Sequence, residues 1–508
     1  MFLERTAGEL AEPLTGRRWD RETVRRQVLS RVAHLQKRGM KPGDLVFIHY
    51  GNRLEVFADL LAIWNAGGCA VPIDARLTPF EIENLAGAAR PRFSLHIGEL
   101  DSTLSGALAS AGVELVDSDE AGRTPPGSTL PQSSFDLDQE ALILFTSGST
   151  GDPKGVVHTH RSLRARWVTL QQSLGVEKFR RTLCLLPTHF GHGLICNCLY
   201  PWLSGCDLFI LPAFSADVAM RLGRILDEHD ITFMSSVPSV WRLALKAARP
   251  PRSGSLERVF CGSAPLTAHL WNQIREWTGT RDVCNSYGIT ETGSWVAGTS
   301  VGEFEPEDGL IGVPWGSVIA VMKEGSAECP PGFGEECAVD TAGYVWLNTP
   351  ALMKGYMGRD DLTRQVVSQG WFMTGDIGAK DERGWLYLRG RERDEINKGG
   401  AKVYPSDIDA VAERFAGVND VCCFAVEDSL YGQNVGLAVA LEGGEDAQIR
   451  ELHAWLKRHL AEHQMPVRWH RVTEIPRTSR GKINRAEVAK SCAQGEPLDL
   501  RTILQGGS

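Results

Sequence analysis

The sequence predicts an α/β fold: parallel β-sheets covered by helices over most of the chain, a β-rich region after Gly309, and an α+β tail after Arg391. Three observations predict it. Apolar runs of strand length alternate with segments of helical spacing through the first half of the chain. From Gly309 onward, short strands broken by Gly and Pro take over. A charged run at Gly390–Asp394 then separates those strands from a tail with helical spacing again.

Between Asp20 and Leu35, the residues Val24, Val28, Val32 and Leu35 fall on one helical face, with Gly39 available as a stop. Leu45-Val46-Phe47-Ile48 reads as a buried strand, Leu54–Trp64 as a helix and Ala70–Ile73 as the next strand. The alternation continues through Ala141–Phe145, a helix near Val218–Glu228 and a strand at Ile231–Met234. Such order argues for parallel sheets with helical crossovers. Beyond Gly309, Cys337–Val339, Tyr344–Leu347 and Trp385–Leu388 read as short strands, and helices are expected near Asp407–Arg414 and Ile449–His459. The expected organisation is an N-terminal domain over 1–390, whose β-rich subdomain covers about 309–390, a hinge at 391–394, and a C-terminal domain over 395–508. Neither an internal repeat nor a low-complexity tract is present.

A chain of 508 residues exceeds one compact core. The formal net charge of −9 gives no general reason to expect nucleic-acid binding. Twelve cysteines are scattered: Cys196 and Cys198 stand one residue apart, Cys422 and Cys423 are adjacent, and no CxxC has a matching partner. That pattern predicts reduced thiols in a cytoplasmic protein without structural zinc. The N-terminus lacks the apolar core of a signal peptide, and the most apolar stretch, Gly193–Phe214, is broken by Asn197, Pro201 and Asp207. No membrane insertion is expected.

The sharpest local signal is the run Thr146-Ser147-Gly148-Ser149-Thr150-Gly151-Asp152-Pro153-Lys154-Gly155, directly after an apolar strand. Hydroxyls and glycines let backbone amides approach phosphate oxygens, and Lys154 adds a positive charge. It is not a Walker A loop, because Gly155 stands where Ser or Thr is needed. A second segment, Asn285-Ser286-Tyr287-Gly288-Ile289-Thr290-Glu291-Thr292, offers Glu291 as a magnesium ligand and Thr290 as a phosphate donor. In Trp371-Phe372-Met373-Thr374-Gly375-Asp376, an acid after a glycine turn can accept from paired hydroxyls. Pro476–Arg485 is a basic loop around Lys482. Read singly, the last three fit ordinary turns and a solvated loop.

Leu144–Val156 resembles the phosphate-loop signature of the adenylate-forming superfamily, which includes acyl-CoA synthetases, peptide-synthetase adenylation domains and luciferases. The resemblance recurs in order at well-separated motifs over nearly the whole chain. It implies two helix-covered sheets with a small β-rich subdomain, followed by a mobile C-terminal domain. It implies that Thr146, Ser147, Gly148, Ser149, Thr150, Gly151 and Lys154 hold ATP phosphates, Thr290 contacts the α-phosphate, and Glu291 holds Mg2+. Tyr287 and the segment Gly262-Ser263-Ala264-Pro265 would enclose adenine, while Asp376 and Arg391 would hold the ribose. Arg393 would be the hinge, Gly399 and Gly400 would line the thiol channel, and Lys482 would reach the reacting carboxylate and α-phosphate.

The same resemblance implies ATP-dependent conversion of a carboxylic acid to its acyl-adenylate with release of pyrophosphate. Acyl transfer to the thiol of coenzyme A follows, or alternatively to the phosphopantetheine of an acyl carrier protein. Remoter alternatives are a luciferase-like oxidation of the adenylate and a non-catalytic nucleotide-binding scaffold. Leu185–Leu194 resembles the family motif of Pro, two residues, then an aromatic or His; strict spacing selects Phe190, with His189 one position early. Gly193, Ser286 and Gly288 join these two as expected pocket residues, and Gly262, Ser263, Ser286 and Gly288 suggest room near the carboxylate. The absence of an Asp near this stretch disfavours an α-amino acid, because its ammonium would be unpaired. An aromatic or short-to-medium aliphatic acid is the expected substrate. The sequence fits a monomer and a homodimer equally.

Overall fold

The computed structural model describes residues 7–127, 136–146, 154–299, 304–324, 329–443, 445–478 and 482–505. Three sheets organise them. In the first, Leu45–Ile48 lies centrally, parallel to Cys69–Pro72 on one side and Phe93–His96 on the other. Val46, Phe47 and Ile48 are buried because helices cover both faces. Glu140–Thr146 and Lys154–Thr159 extend this sheet as an antiparallel pair, and Gly355–Tyr356 closes its edge. The helix Leu54–Asn65 is buried from Leu54 to Trp64, including Glu55 and Asp59. Asp59 is held by Arg31 at 2.7 Å and by Ser118 Oγ at 2.6 Å.

The second sheet carries six adjacent parallel strands: Leu10–Ala11, Asp207–Ile210, Arg181–Cys184, Phe233–Ser236, Arg258–Gly262 and Val283–Ile289. From there the order turns antiparallel through Ser294–Gly298 and Leu310–Pro314 to Leu386–Arg391 and Trp371–Lys380. The expected β-rich subdomain is therefore hydrogen-bonded to the large sheet rather than separate from it. The third sheet, built on the long hairpin Val418–Asp428 with Gly432–Leu441, belongs to the tail.

Several sequence expectations need correction. The strand placed at Ile231–Met234 runs two residues later, at Phe233–Ser236. Cys337–Val339 forms no strand: it turns back, Cys337 N donating to Val321 O at 2.8 Å. Gly193–Phe214 breaks into a π-helical stretch His192–Leu199, a short helix Tyr200–Leu203 and the strand Asp207–Ile210. Among the described residues no helix is long and apolar enough to cross a membrane.

Phe260 anchors the junction behind the second sheet. It is fully buried, with ring centroids at 4.8 Å from Trp295, 5.2 Å from Phe233 and 5.3 Å from Trp315. Phe260→Ala is expected to cost about 3–5 kcal/mol, read as a lower urea midpoint by tryptophan fluorescence. A midpoint equal to that of the unchanged protein would contradict this packing role.

Candidate active site

Ligands of open α/β sheets bind at the carboxyl ends of the strands. At that end of Val283–Ile289, the Tyr287 hydroxyl donates to Asp376 Oδ2 at 2.5 Å. Arg391 Nε reaches the other oxygen, Oδ1, at 2.9 Å. Strand register brings this about, since Asp376 faces Arg391 across Trp371–Lys380 and Leu386–Arg391. Burial, reinforced by the Asp376 charge, pushes the Tyr287 phenol well up, so it remains a donor. The Asp376 charge likewise raises Arg391. Carboxylate oxygens have two lone pairs each, so Asp376 still has room for the hydroxyls of a ligand.

Ser147, Gly148, Ser149, Thr150 and Gly151 lie outside the described residues. The flanks of their loop are described: Thr146 pairs with Lys154 across the antiparallel strands. The Lys154 ammonium stands 5.5 Å from the centre of the Tyr356 ring. The Tyr356 hydroxyl donates to Glu291 Oε1 at 2.8 Å, and Met353 N donates to Glu291 O at 2.7 Å. Two buried donors hold the Thr290–Thr292 turn from behind. His158 Nε2 donates to Thr290 O at 2.9 Å, and Arg166 to Thr292 O at 2.8 Å. Arg166 also reaches Thr349 Oγ1 at 3.0 Å and Trp315 O at 3.2 Å. Burial lowers its guanidinium to about 10, which leaves it cationic at neutral pH.

Among the described residues no group of three His, Cys, Asp or Glu side chains could hold a metal ion. A lone carboxylate such as Glu291 nevertheless fits Mg2+, which keeps several waters and shares the phosphates of its substrate.

Elsewhere at the site, the π-helical stretch His192–Leu199 presents His192. Such irregular turns recur at functional sites. His192 Nδ1 is hydrogen-bonded to Ser263 Oγ at 2.8 Å and Nε2 to Ser235 Oγ at 2.6 Å. Ser263 sits at φ 64°, a left-handed conformation that is uncommon outside glycine and recurs at functional sites. Phe190 packs into the core with its ring 6.1 Å from His192, whereas His189 turns to Asp74, with Nε2 at 3.5 Å from Oδ2. The ring at the motif position thus packs as wall, and His189 points elsewhere. The expectation of room at the glycines is corrected too. A Cβ on Gly262 would meet Ser286 O at 2.3 Å, one on Gly288 would meet Ser294 O at 2.0 Å, and one on Gly193 would meet Pro187 O at 2.3 Å. These glycines permit backbones to touch. Ala264 is half-buried and Pro265 is exposed beside them.

From the tail, the Lys482 charge adds to burial in holding the His192 imidazole below its ordinary value. Its backbone is fixed by Thr478, whose N–H donates to Lys482 O at 2.8 Å. Gly399 and Gly400, at φ 59° and 93°, form the two-residue turn of the hairpin Ile396–Lys398 with Ala401–Val403. Positive φ at both positions is what such a turn demands, a reason independent of any thiol channel. Arg393 lies exposed on a single 3-10 turn, Glu392–Asp394.

Comparison with known proteins decides the family. Residues 7–357 match the model described as AMP-binding enzyme, and residues 407–482 match the AMP-binding enzyme C-terminal domain. The chain belongs to the AMP-binding enzyme family. Oxalate–CoA ligase of Arabidopsis thaliana is 28% identical over 477 residues, covering 89% of each chain. The mitochondrial malonate–CoA ligase of Mus musculus is 30% identical over 493 residues, covering 89% of this chain and 83% of its own. In fold, the chain is similar to ATP-bound MatB from Rhodopseudomonas palustris, with TM-score 0.85, 23% identity and 96% of each chain covered. It is also similar to the anthranilate CoA ligase AuaEII in complex with anthranoyl-AMP, with TM-score 0.86, 21% identity and 96% of each chain covered.

This AMP-binding ligase carries site residues that sequence reasoning missed. Tyr356 belongs to a two-residue strand, too short to announce itself. His192 sits five residues after Pro187, and only the π-helical turn aims it at the serines. Arg166 and His158 stand outside every motif read from the sequence.

Burial, aided by the Lys482 charge, pushes His192 down to about 3, and burial pushes His158 down to about 4. Both imidazoles are therefore neutral in the folded protein at any working pH. Below the ordinary value of 6.5 the unfolded chain takes up protons that these folded sites refuse, so stability falls as pH drops from 6.5 towards about 4. The melting temperature should decline across that window, and less steeply in His158→Gln. Equal slopes in the two proteins would remove His158 from this account.

Proposed function

We propose that the protein joins a small monocarboxylic acid, aromatic or short-to-medium aliphatic, to coenzyme A through an acyl-adenylate. A carboxylate oxygen attacks the α-phosphorus of ATP, and the bond to pyrophosphate breaks. Thr146–Lys154 hold the phosphates, Asp376 and Arg391 fix the ribose, and Tyr287 with Gly262–Pro265 enclose the adenine. Thr290 contacts the α-phosphate. Glu291, steadied by Tyr356, would hold Mg2+, which neutralises phosphate charge when bound. Lys482 stabilises the charge gathering on phosphorus. In the second half-reaction the thiol sulfur attacks the acyl carbon, its bond to the AMP oxygen breaks, and AMP leaves. The tail turns about Arg393 between the two, withdrawing Lys482 and bringing up the Gly399–Gly400 turn.

One observation carries this reading: Asp376, bound by Tyr287 at 2.5 Å and by Arg391 at 2.9 Å, keeps lone pairs for the paired hydroxyls of a nucleotide ribose. The hydrogen-bond and ring partners of His192, namely Ser235, Ser263, Phe190 and Trp295, carry no charge. That supports an acid whose only charge is the reacting carboxylate. The related oxalate– and malonate–CoA ligases take diacids, so the substrate class is a point on which this chain is expected to part from them.

Acid-dependent exchange of pyrophosphate into ATP tests the proposal. Benzoate-like or short aliphatic monoacids should support exchange, and oxalate and malonate should not. Lys482→Ala should slow exchange by about 10²–10³. Full exchange in a folded Lys482→Ala protein would overturn the assignment of roles. With adenylate supplied, coenzyme A should be acylated; acylation of a carrier protein alone would transfer the acceptor role to phosphopantetheine.

A further inference from the structure

The loop that carries Lys482 is clamped on both flanks by ion pairs. Before it, Arg477 binds Asp420 at 2.7 Å and 2.9 Å; after it, Arg485 binds Asp409 at 2.7 Å. Asp409 also accepts from Cys423 N at 2.6 Å, and Arg485 donates to Cys423 O at 2.6 Å, so this pair is locked to the central hairpin of the tail. Asp409 and Glu413 lie one turn apart on the helix Pro405–Glu413. Both of these ion pairs therefore tie the flanks of the lysine loop to one helix and one strand.

A side chain of the N-terminal domain also enters this cluster. Arg242, on the helix Pro238–Ala247, reaches Glu413 Oε1 at 2.5 Å, with side chains 23% and 10% exposed. Burial alone would lower its guanidinium, but Glu413, Asp420 and Asp409 overcome this and raise it. One turn further along the same helix, Lys246 donates to Asn419 Oδ1 at 3.0 Å. Three guanidinium groups, of Arg242, Arg477 and Arg485, thus face three carboxylates, of Asp409, Glu413 and Asp420. The balance is complete only while the N-terminal domain contributes Arg242.

We infer that Arg242 is a positioning residue for Lys482 in adenylate formation. It docks the carboxylates that hold the lysine loop, and so holds the tail where the Lys482 charge reaches the pocket of His192. The inference rests on the reading that the tail turns between half-reactions. When the tail turns away, the Arg242–Glu413 pair breaks and both groups return to water. Truncating one partner of a buried charge pair is costly because the other is left uncompensated. In Arg242→Gln, Glu413 is left so only in the docked orientation, and the population of that orientation falls.

The test separates the half-reactions in the full-length enzyme. Arg242→Gln should lower the kcat of acid-dependent pyrophosphate exchange by about tenfold or more, with the KM for ATP little changed. Thioester formation from supplied acyl-adenylate should match that of the unchanged enzyme or exceed it. The charge swap Arg242→Glu with Glu413→Arg should restore exchange to within a few-fold, where Arg242→Glu alone does not. Unchanged exchange in Arg242→Gln, or equal loss of both half-reactions, would overturn the inference. Lys482→Ala serves as the control: full exchange there would sink the underlying reading, whereas loss there with no effect at Arg242 would sink only this inference.

Discussion

The proposed chemistry depends on one ammonium group, carried by the tail and used at the N-terminal site. In the first step of the proposed reaction, negative charge gathers on phosphorus, and a fixed cation there lowers the barrier. In the second step, a thiol on a long arm must approach the acyl carbon. A single rigid surface cannot be complementary to both transition states. Placing Lys482 on a separable tail lets the cation be present for one and absent for the other.

The receiving pocket is built to leave that charge undiminished. His192 is neutral, and both ring nitrogens are engaged by serine hydroxyls. A neutral wall neither repels the ammonium nor pairs with it, so its field is directed to the ligand in a region of low dielectric. Arg166 works differently. Its described partners are carbonyls and hydroxyls rather than a carboxylate, so it fixes the Thr290–Thr292 turn and keeps a positive charge behind it. Glu291 at the front and Arg166 at the back make that turn a rigid dipolar element beside the strand Lys154–Thr159.

The motifs proposed for the site could be named from the sequence because each joins adjacent residues: Thr146–Lys154, Tyr287–Glu291, Thr374–Asp376 and the loop around Lys482. The parallel sheets were legible because buried strands read as unbroken apolar runs, as at Leu45–Ile48. What escaped was everything made by distant residues. The pairing of Leu310–Pro314 with Leu386–Arg391 joins the β-rich region to the large sheet, and no local pattern announces it. Tyr356, Arg166 and Arg242 act on segments from about 60 to 170 positions away. The room expected at Gly262 and Gly288 failed for a related reason: a glycine in sequence cannot tell an open pocket from a neighbouring backbone.

How the tail can part from the rest follows from where apolar surface is buried. The core clusters of the tail, one around Ile396, Leu437 and Trp469 and one around Phe424 and Val488, contain only residues from Ile396 onward among those described. The clusters before the proposed hinge close upon themselves in the same way. Between the two, the described residues include the ion pairs Arg414 with Asp308, Lys402 with Glu324 at 2.9 Å, and Arg242 with Glu413. Separating such pairs exchanges each ionic contact for water, whereas separating apolar faces would cost hydrophobic free energy in proportion to area. An interface of this kind permits docking and release with modest free energy either way. Direction must then come from a few groups placed deeply enough to matter, and Arg242 is the one whose partners also hold the lysine loop.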